Sequence, residues 1–245
     1  MVTAAPEEQL KLLAVQQHAS RLRQLARQRA EAAQDPALAA AAQALADARA
    51  VAAGAEARRG EADAAVEALE TQAATVATRI AKDEAQLIAG QAGAGTLQGL
   101  QREIESLTAK ASELEDAEIE ALDAAEAAAG EQAGADAAVA AAEAANEAVR
   151  SDVRERIAGL DAEAASTQAD RDAAAALVQA DLLALFEATL QRRGAGAARL
   201  FHGTSEGSGL SLAPVELAEI KRAAPDAVVL CPDSGVILVR HPDWM

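Results

Sequence analysis

From Leu38 to Leu87 one position recurs every seven residues: Leu38, Leu45, Ala52, Arg59, Val66, Ala73, Ile80 and Leu87. A second row sits three residues further on, as Ala41, Ala48, Ala55, Ala62, Leu69 and Val76, and breaks at Asp83. A strict seven-residue repeat of apolar positions keeps one stripe of a helix facing a partner helix, which is the coiled-coil seam. No other feature limits the fold so strongly, because it commits the segment to one long helix that needs a neighbour.

The seam stops at "AGQAGAGT", where Gly90, Gly93 and Gly95 end one helix and Thr96 is placed to cap the next. A second seam follows. One row runs Leu97, Ile104, Ala111, Glu118, Ala125, Gln132, Val139, Asn146, Val153 and Leu160, the other Leu100, Leu107, Leu114, Ala121, Ala128, Ala135, Ala142 and Val149. Two long helices joined by a short glycine turn are expected to fold back as an antiparallel hairpin. A turn centred near residue 92 puts Gly54 opposite Gly130. The Ala-rich middles then face each other, close in approach but poor in buried area. Arg59, Asp83, Gln132 and Asn146 read as buried register-setting polar residues rather than as a site.

Upstream, Leu12, Val15, Ala19, Leu22 and Ala26 alternate steps of three and four, as an amphipathic helix requires. Asp35-Pro36 marks a kink, since proline lacks the N–H that a helix interior needs. The expected organisation is therefore a hairpin over 1–192. Helix 1 spans about 5–88 with its kink at 35–36, the turn about 89–95 and helix 2 about 96–192, giving a rod on the order of 100 Å long. The end of helix 2, "LLALFEATLQRR", is its most apolar part, and Phe186 is expected to pack on whatever follows or on a partner.

From Arg199 the texture changes. A helix begins at Pro214, and strands are expected at Ala227–Leu230 and Val236–Arg240 around a turn holding Pro232, Asp233 and Gly235. The fold class is mainly α: a long antiparallel coiled-coil hairpin with a small C-terminal α/β module over 199–245. Leu210, Leu212, Leu217, Ile220, Val228, Leu230, Ile237 and Val239 are its expected core. That is marginal for so short a module unless it docks on Leu183 and Phe186.

Composition narrows the function. With two Phe, one Trp and no Tyr in 245 residues, a conventional globular core of this size is not expected. The net charge is −17, and the acid excess lies between residues 31 and 189, so the hairpin repels phosphate backbones along its length. One cysteine cannot form an intramolecular disulfide. The N-terminal stretch lacks a charged region followed by an unbroken apolar run, and no segment reaches the ~18 apolar residues of a membrane span. A soluble cytoplasmic protein, monomer or homodimer, is expected, with no membrane and no small-molecule substrate. No nucleotide-loop, metalloprotease or nucleophile-elbow motif is present, and His18, His202 and His241 have no acid/base constellation around them.

Two knuckles remain, "SEGS" at Ser205–Ser208 and "CPDS" at Cys231–Ser234, each with the spacing of a metal-binding Cys pair. Their flanks, with the tip "GTLQGLQREIESL", the segment "LSLAPVELAEI" and "VVLCPDSGVILVR", resemble a bacterial family of C4-type zinc-ribbon coiled-coil hairpin proteins. The resemblance covers nearly the whole chain. It implies zinc ligands at Ser205, Ser208, Cys231 and Ser234, and an adaptor role contacting transcription or secretion machinery. Serine rarely serves as a structural zinc ligand, so zinc is expected to be absent and no cofactor is expected. His202, Glu206, Asp233 and His241 are candidate replacement ligands or ordinary loop residues. Cys231, beside Asp233 and without a cation, reads as an inert thiol.

The candidate partner-binding residues are Leu97, Leu100, Arg102 and Glu103 at the tip and Phe186, Arg192 and Arg193 at the base. A basic patch of Arg21, Arg23, Arg27 and Arg29 lies towards the base as well. It suits an acidic protein partner or RNA, or it serves only to balance helix dipoles and aid solubility. The reading is a non-enzymatic adaptor, with an RNA-binding accessory factor as the alternative.

Overall fold

A computed structural model describes residues 2–90 and 93–240. In chain order it has α1 (Pro6–Ala33), α2 (Pro36–Ala89), α3 (Ala94–Ala176), α4 (Ala180–Arg193), β1 (Ala197–Phe201), β2 (Thr204–Ser205), β3 (Leu210–Ser211), α5 (Pro214–Arg222), β4 (Val229–Leu230) and β5 (Ile237–Arg240). The chain divides into two compact units, one of residues 36–150 and one of residues 2–35 with 151–240. Helix α3 contributes to both.

The first unit is the hairpin of α2 and the N-terminal part of α3. Every seam position from Leu38 to Leu87 and from Leu97 to Val149 is buried or half-buried except Arg59. Arg59 is not buried as expected: its long side chain leaves the seam and donates to Gln132 Oε1 at 3.1 Å. Antiparallel pairing is visible in the cross-bridges Arg79–Glu103 (2.7 Å), Arg58–Glu131 (3.0 Å) and Arg49–Glu143 (2.7 Å), where one index rises as the other falls. With Arg58 reaching Glu131, Gly130 faces a point about one helical turn from Gly54, the partner expected for it.

At the tip, α2 ends with Gly90 in the left-handed region (φ 60°), where only glycine is unstrained. Gln91 and Ala92, on which the turn was centred, lie outside the described residues. Thr96 does not cap α3. It sits inside the first turn, and the Gly93 carbonyl accepts the N–H groups of Thr96 (2.9 Å) and Leu97 (3.1 Å).

Asp83 is the polar residue that the seam does bury. It is 1 % exposed and is held by Arg79, whose Nε lies 2.9 Å from Oδ2. The Arg79 guanidinium is pushed above its ordinary pKa by its hydrogen bonds to Asp83 first and Glu103 next.

In the second unit α1 packs through Gln9, Leu12, Val15, Ala19 and Leu25. Leu25, rather than Leu22 or Ala26, carries the last buried turn. Ion pairs Arg21–Glu163 (2.6 Å) and Arg29–Asp161 (2.7 Å) tie α1 to α3, and Arg156 reaches Asp35.

The continuous helix expected to 192 is two helices. It opens at Leu177–Gln179, where the Leu177 carbonyl accepts from Lys11 Nζ at 2.9 Å. No proline or glycine marks the break. It is set by packing, because Val178, Leu182 and Phe186 turn into a cluster with Leu12, Val15, Ala197, Ile237 and Val239. Burial of such side chains contributes about 1.5–3 kcal/mol each. Helix α4 ends on Gly194 (φ 78°), whose N–H closes on the Leu190 carbonyl at 2.9 Å, with Arg192 and Arg193 in the last turn complementing the helix dipole.

The C-terminal module is a five-stranded sheet in the order β3-β2-β1-β5-β4. Three strands, β1 to β3, were not expected from sequence. Strand β1 pairs in parallel with β5, Ala197 beside Ile237 and Leu200 beside Arg240. His202 (φ 44°) and Gly203 (φ 71°) make the two-residue turn to β2. A second core of Ala198, Leu200, Leu212, Ile220, Cys231, Val236 and Leu238 fills the other face. Leu210 and Leu230, expected in the core, are 58 % and 48 % exposed, since they lie on the two edge strands.

Candidate functional site

The two knuckles are the same piece of backbone used twice. In "SEGSG" the Gly209 N–H donates to the Ser205 carbonyl at 2.8 Å, and in "CPDSG" the Gly235 N–H donates to the Cys231 carbonyl at 2.9 Å. Both glycines are left-handed, at φ 70° and 69°. Gly209 stands in register with Gly235 in the repeated turn.

The side chains of these turns converge. Ser205 is wholly buried and Cys231 is 2 % exposed. The hydroxyls of Ser205 and Ser234 face the Cys231 sulfur, yet neither Oγ makes a hydrogen bond of ordinary geometry. Burial alone would raise the Cys231 thiol. The Ser234 hydroxyl and backbone, the Ser205 hydroxyl and the Asp233 backbone outweigh it and hold the pKa below the usual thiol value. No cation contributes to this lowering; it comes from the neighbouring hydroxyls and backbone. Ser208, the fourth position, is half-buried and its Oγ accepts from the Leu210 N–H at 3.3 Å.

One thiol and three hydroxyls do not fit zinc, which is held by thiolate, imidazole and carboxylate. The replacement ligands do not assemble. His202 sits on the β1–β2 turn against the Phe201 ring, Glu206 is paired with Arg199 at 3.0 Å, and Asp233 contributes backbone only. His241 lies outside the described residues. Among the described residues no three His, Cys, Asp or Glu side chains are gathered to hold a metal ion.

Beside the knuckles runs an open groove of about 580 Å³ between α1 and β1. Arg23 stands on one wall, the Arg199–Glu206 pair on the other, and Ala197 and Ala198 line it between them. Gln16 fixes its geometry: its Oε1 accepts from Gly196 N (2.7 Å) and Ala197 N (3.2 Å) at the start of β1. Arg23 lies over Gly194, and Arg193 lies over Gly235 of the second knuckle.

The expected basic patch is only half free. Arg21 and Arg29 are neutralised by Glu163 and Asp161, while Arg23, Arg27, Arg192 and Arg193 make no ion pair among the described residues. Phe186 is not a surface anchor: it is fully buried and presses on Gly196. At the tip, Leu97 and Leu100 are half-buried in the seam, Arg102 is exposed, and Glu103 is held by Arg79. No helix among the described residues is long and apolar enough to cross a membrane.

These features define a helical coiled-coil hairpin protein with a small strand-containing module, without sign of an enzyme. The chain belongs to the CT398-like coiled coil hairpin domain family, whose model matches residues 15–194. It is 30 % identical over 178 residues to the uncharacterised protein Rv2229c of Mycobacterium tuberculosis H37Rv, and equally to MT2288 of strain CDC 1551, covering 73 % of this chain and 73 % of each relative. Two solved structures share the fold. One, from Mycobacterium smegmatis, has a TM-score of 0.66 at 24 % identity, over 98 % of this chain and 100 % of that one. The other, CT398 from Chlamydia trachomatis, has a TM-score of 0.63 at 17 % identity, over 96 % and 98 %.

Proposed function

We propose that this chain is a non-enzymatic, cytoplasmic adaptor that docks an acidic protein segment in the groove between α1 and β1, beside a zinc-ribbon-like module that works without metal. The observation that carries the reading is the set of unpaired arginines, Arg23 and Arg193 above all, at the groove and knuckles of a chain with net charge −17. Arg21, Arg29, Arg49, Arg58, Arg79 and Arg156, by contrast, are spent on ion pairs. Cations kept free of carboxylates in such a background favour an anionic partner. Four separate arginines beside so many acids supply little of the continuous cationic surface that RNA requires. A role in transcription or secretion is what the zinc-ribbon hairpin resemblance implies.

The test is affinity capture of partners from the native cell with the wild-type chain and with Arg23→Glu plus Arg193→Glu, each with and without nuclease. Partners retained by the wild type after nuclease and lost by the double variant support the reading. Partners retained equally by both, or released by nuclease, overturn it.

A further inference from the structure

The repeated turn leaves one question that the adaptor reading does not touch: what holds the two knuckles together. They come from loops far apart in the chain, and at their meeting point lie a buried thiol and two buried hydroxyls with no ordinary hydrogen bond. Buried polar side chains are normally satisfied, so a cluster of orphans at a loop junction needs a reason. The surroundings are tight: a methyl group on Gly207 would sit 2.7 Å from Ala198 Cβ and 3.1 Å from Val236 Cγ2. The backbone does not need a ligand to keep this shape. Each turn closes on itself through its own glycine, and the loops are anchored by Cys231 N–H to the Val236 carbonyl (2.8 Å) and Glu206 N–H to the Arg199 carbonyl (2.9 Å).

We infer that Ser205, Cys231 and Ser234 form a metal-free junction that retains three positions of a four-ligand site, with the Ser208 hydroxyl turned to the Leu210 N–H at 3.3 Å, so that the fold does not depend on an ion but replacing the three serines with cysteine creates a zinc site. The physical basis is that the two turns still place their first side chains, Ser205 and Cys231, together with Ser234, around one point. A hydroxyl and a thiol differ there mainly in acidity and softness rather than in direction. Zinc requires deprotonated soft or borderline donors, which hydroxyls at neutral pH are not.

The experiment uses the full chain and zinc itself as probe. Wild type and Ser205→Cys/Ser208→Cys/Ser234→Cys are purified from zinc-supplemented growth and assayed for bound metal, for melting temperature with and without chelator, and for cobalt(II) absorption. The wild type is expected to hold at least about tenfold less than one zinc per chain and to melt identically with chelator. The triple variant is expected to hold about one zinc, to lose melting temperature on chelation, and to show thiolate-to-cobalt charge-transfer bands. A folded triple variant without zinc overturns the inference, and so does a wild type carrying a full equivalent. Should the triple variant fail to fold, Ser205→Cys/Ser234→Cys, with three thiols, is examined in its place. Zinc uptake by it supports the inference; a folded protein without uptake, or failure of both variants to fold with zinc present, overturns it. Neither outcome depends on whether a partner binds the groove.

Discussion

The ring of Phe186 lies so close to Gly196 that a methyl group on Gly196 would sit 2.4 Å from two of its carbons. The backbone of Gly196 cannot retreat, since its N–H is bonded to Gln16 Oε1 at 2.7 Å and its carbonyl accepts the Ile237 N–H at 3.0 Å. Gly196→Ala is therefore expected to destabilise the unit that holds α1 and the sheet by about 1–3 kcal/mol, the usual cost of overpacking. Adding Phe186→Leu should recover part of the loss by vacating the contact. Urea denaturation followed by circular dichroism checks this, and a Gly196→Ala chain as stable as wild type would rule it out.

Arg240 gathers backbone carbonyls. Its guanidinium donates to those of Ala223 (3.3 Å), Ala224 (2.8 Å), Pro225 (2.7 Å) and Ala227 (2.9 Å). Lysine is a point donor without the planar fork, so Arg240→Lys is expected to lose most of these bonds, at about 1.5–3 kcal/mol for a charged donor. The local readout is amide hydrogen exchange at Ala4 and Ala227, whose N–H groups bond to Asp226 and Ala224 in the same loop. Both should exchange faster, and unchanged protection would count against the clamp.

In the hairpin, Asp83 and Arg79 are unequal partners. Asp83 is buried while the Arg79 side chain is half exposed. Arg79→Ala strands a buried carboxylate and should cost about 1–3 kcal/mol. Asp83→Leu removes the buried charge and extends the apolar row of Leu69 and Val76, so it should match or exceed wild-type stability. In the Asp83→Leu background Arg79→Ala should cost much less. Equal cost in both backgrounds would show that the pair is not coupled.

Glu8 gives the pH-dependent case. Its carboxyl is held below the ordinary carboxylate range, first by the hydrogen bond from Lys11, against an opposing effect of desolvation. Because the folded-state pKa is depressed, its contribution is present above the ordinary carboxylate pKa and is lost as pH falls through the lowered value. An NMR titration should place Glu8 below the ordinary carboxylate range, and Lys11→Met should return it there. A Glu8 titration indifferent to Lys11→Met would reject this account.

The hairpin was legible because heptads are a local code. Each seam row, read seven residues at a time, names the buried side of its helix, and only Arg59, long enough to swing out, departs from it. What sequence did not show was set by distant contacts. The strand "AARLF" has no alternation of its own and exists because β5, some forty residues later, pairs with it in parallel. The break before Ala180 carries no proline or glycine, and it answers to the cluster that Phe186 joins. For the knuckles, spacing together with the flanking motifs and the resemblance they carry was needed to nominate Ser205, Ser208, Cys231 and Ser234. The orphaned hydroxyls and the free arginines became visible only in three dimensions.

The bridge between Thr3 and Ala227, with α1 packed on β1 and β5, has a consequence for synthesis. The cluster around Leu12 and Val15 is complete only once β5 exists, because Ile237 and Val239 belong to it. Translation at about 5–20 residues per second leaves the interval between α1 and β5 at about 10–40 s. Throughout it that cluster lacks Ile237 and Val239, while the hairpin between α1 and the sheet is already free to close. The α1 segment therefore emerges well before β5 completes its packing, and early chaperone contact should concentrate on it.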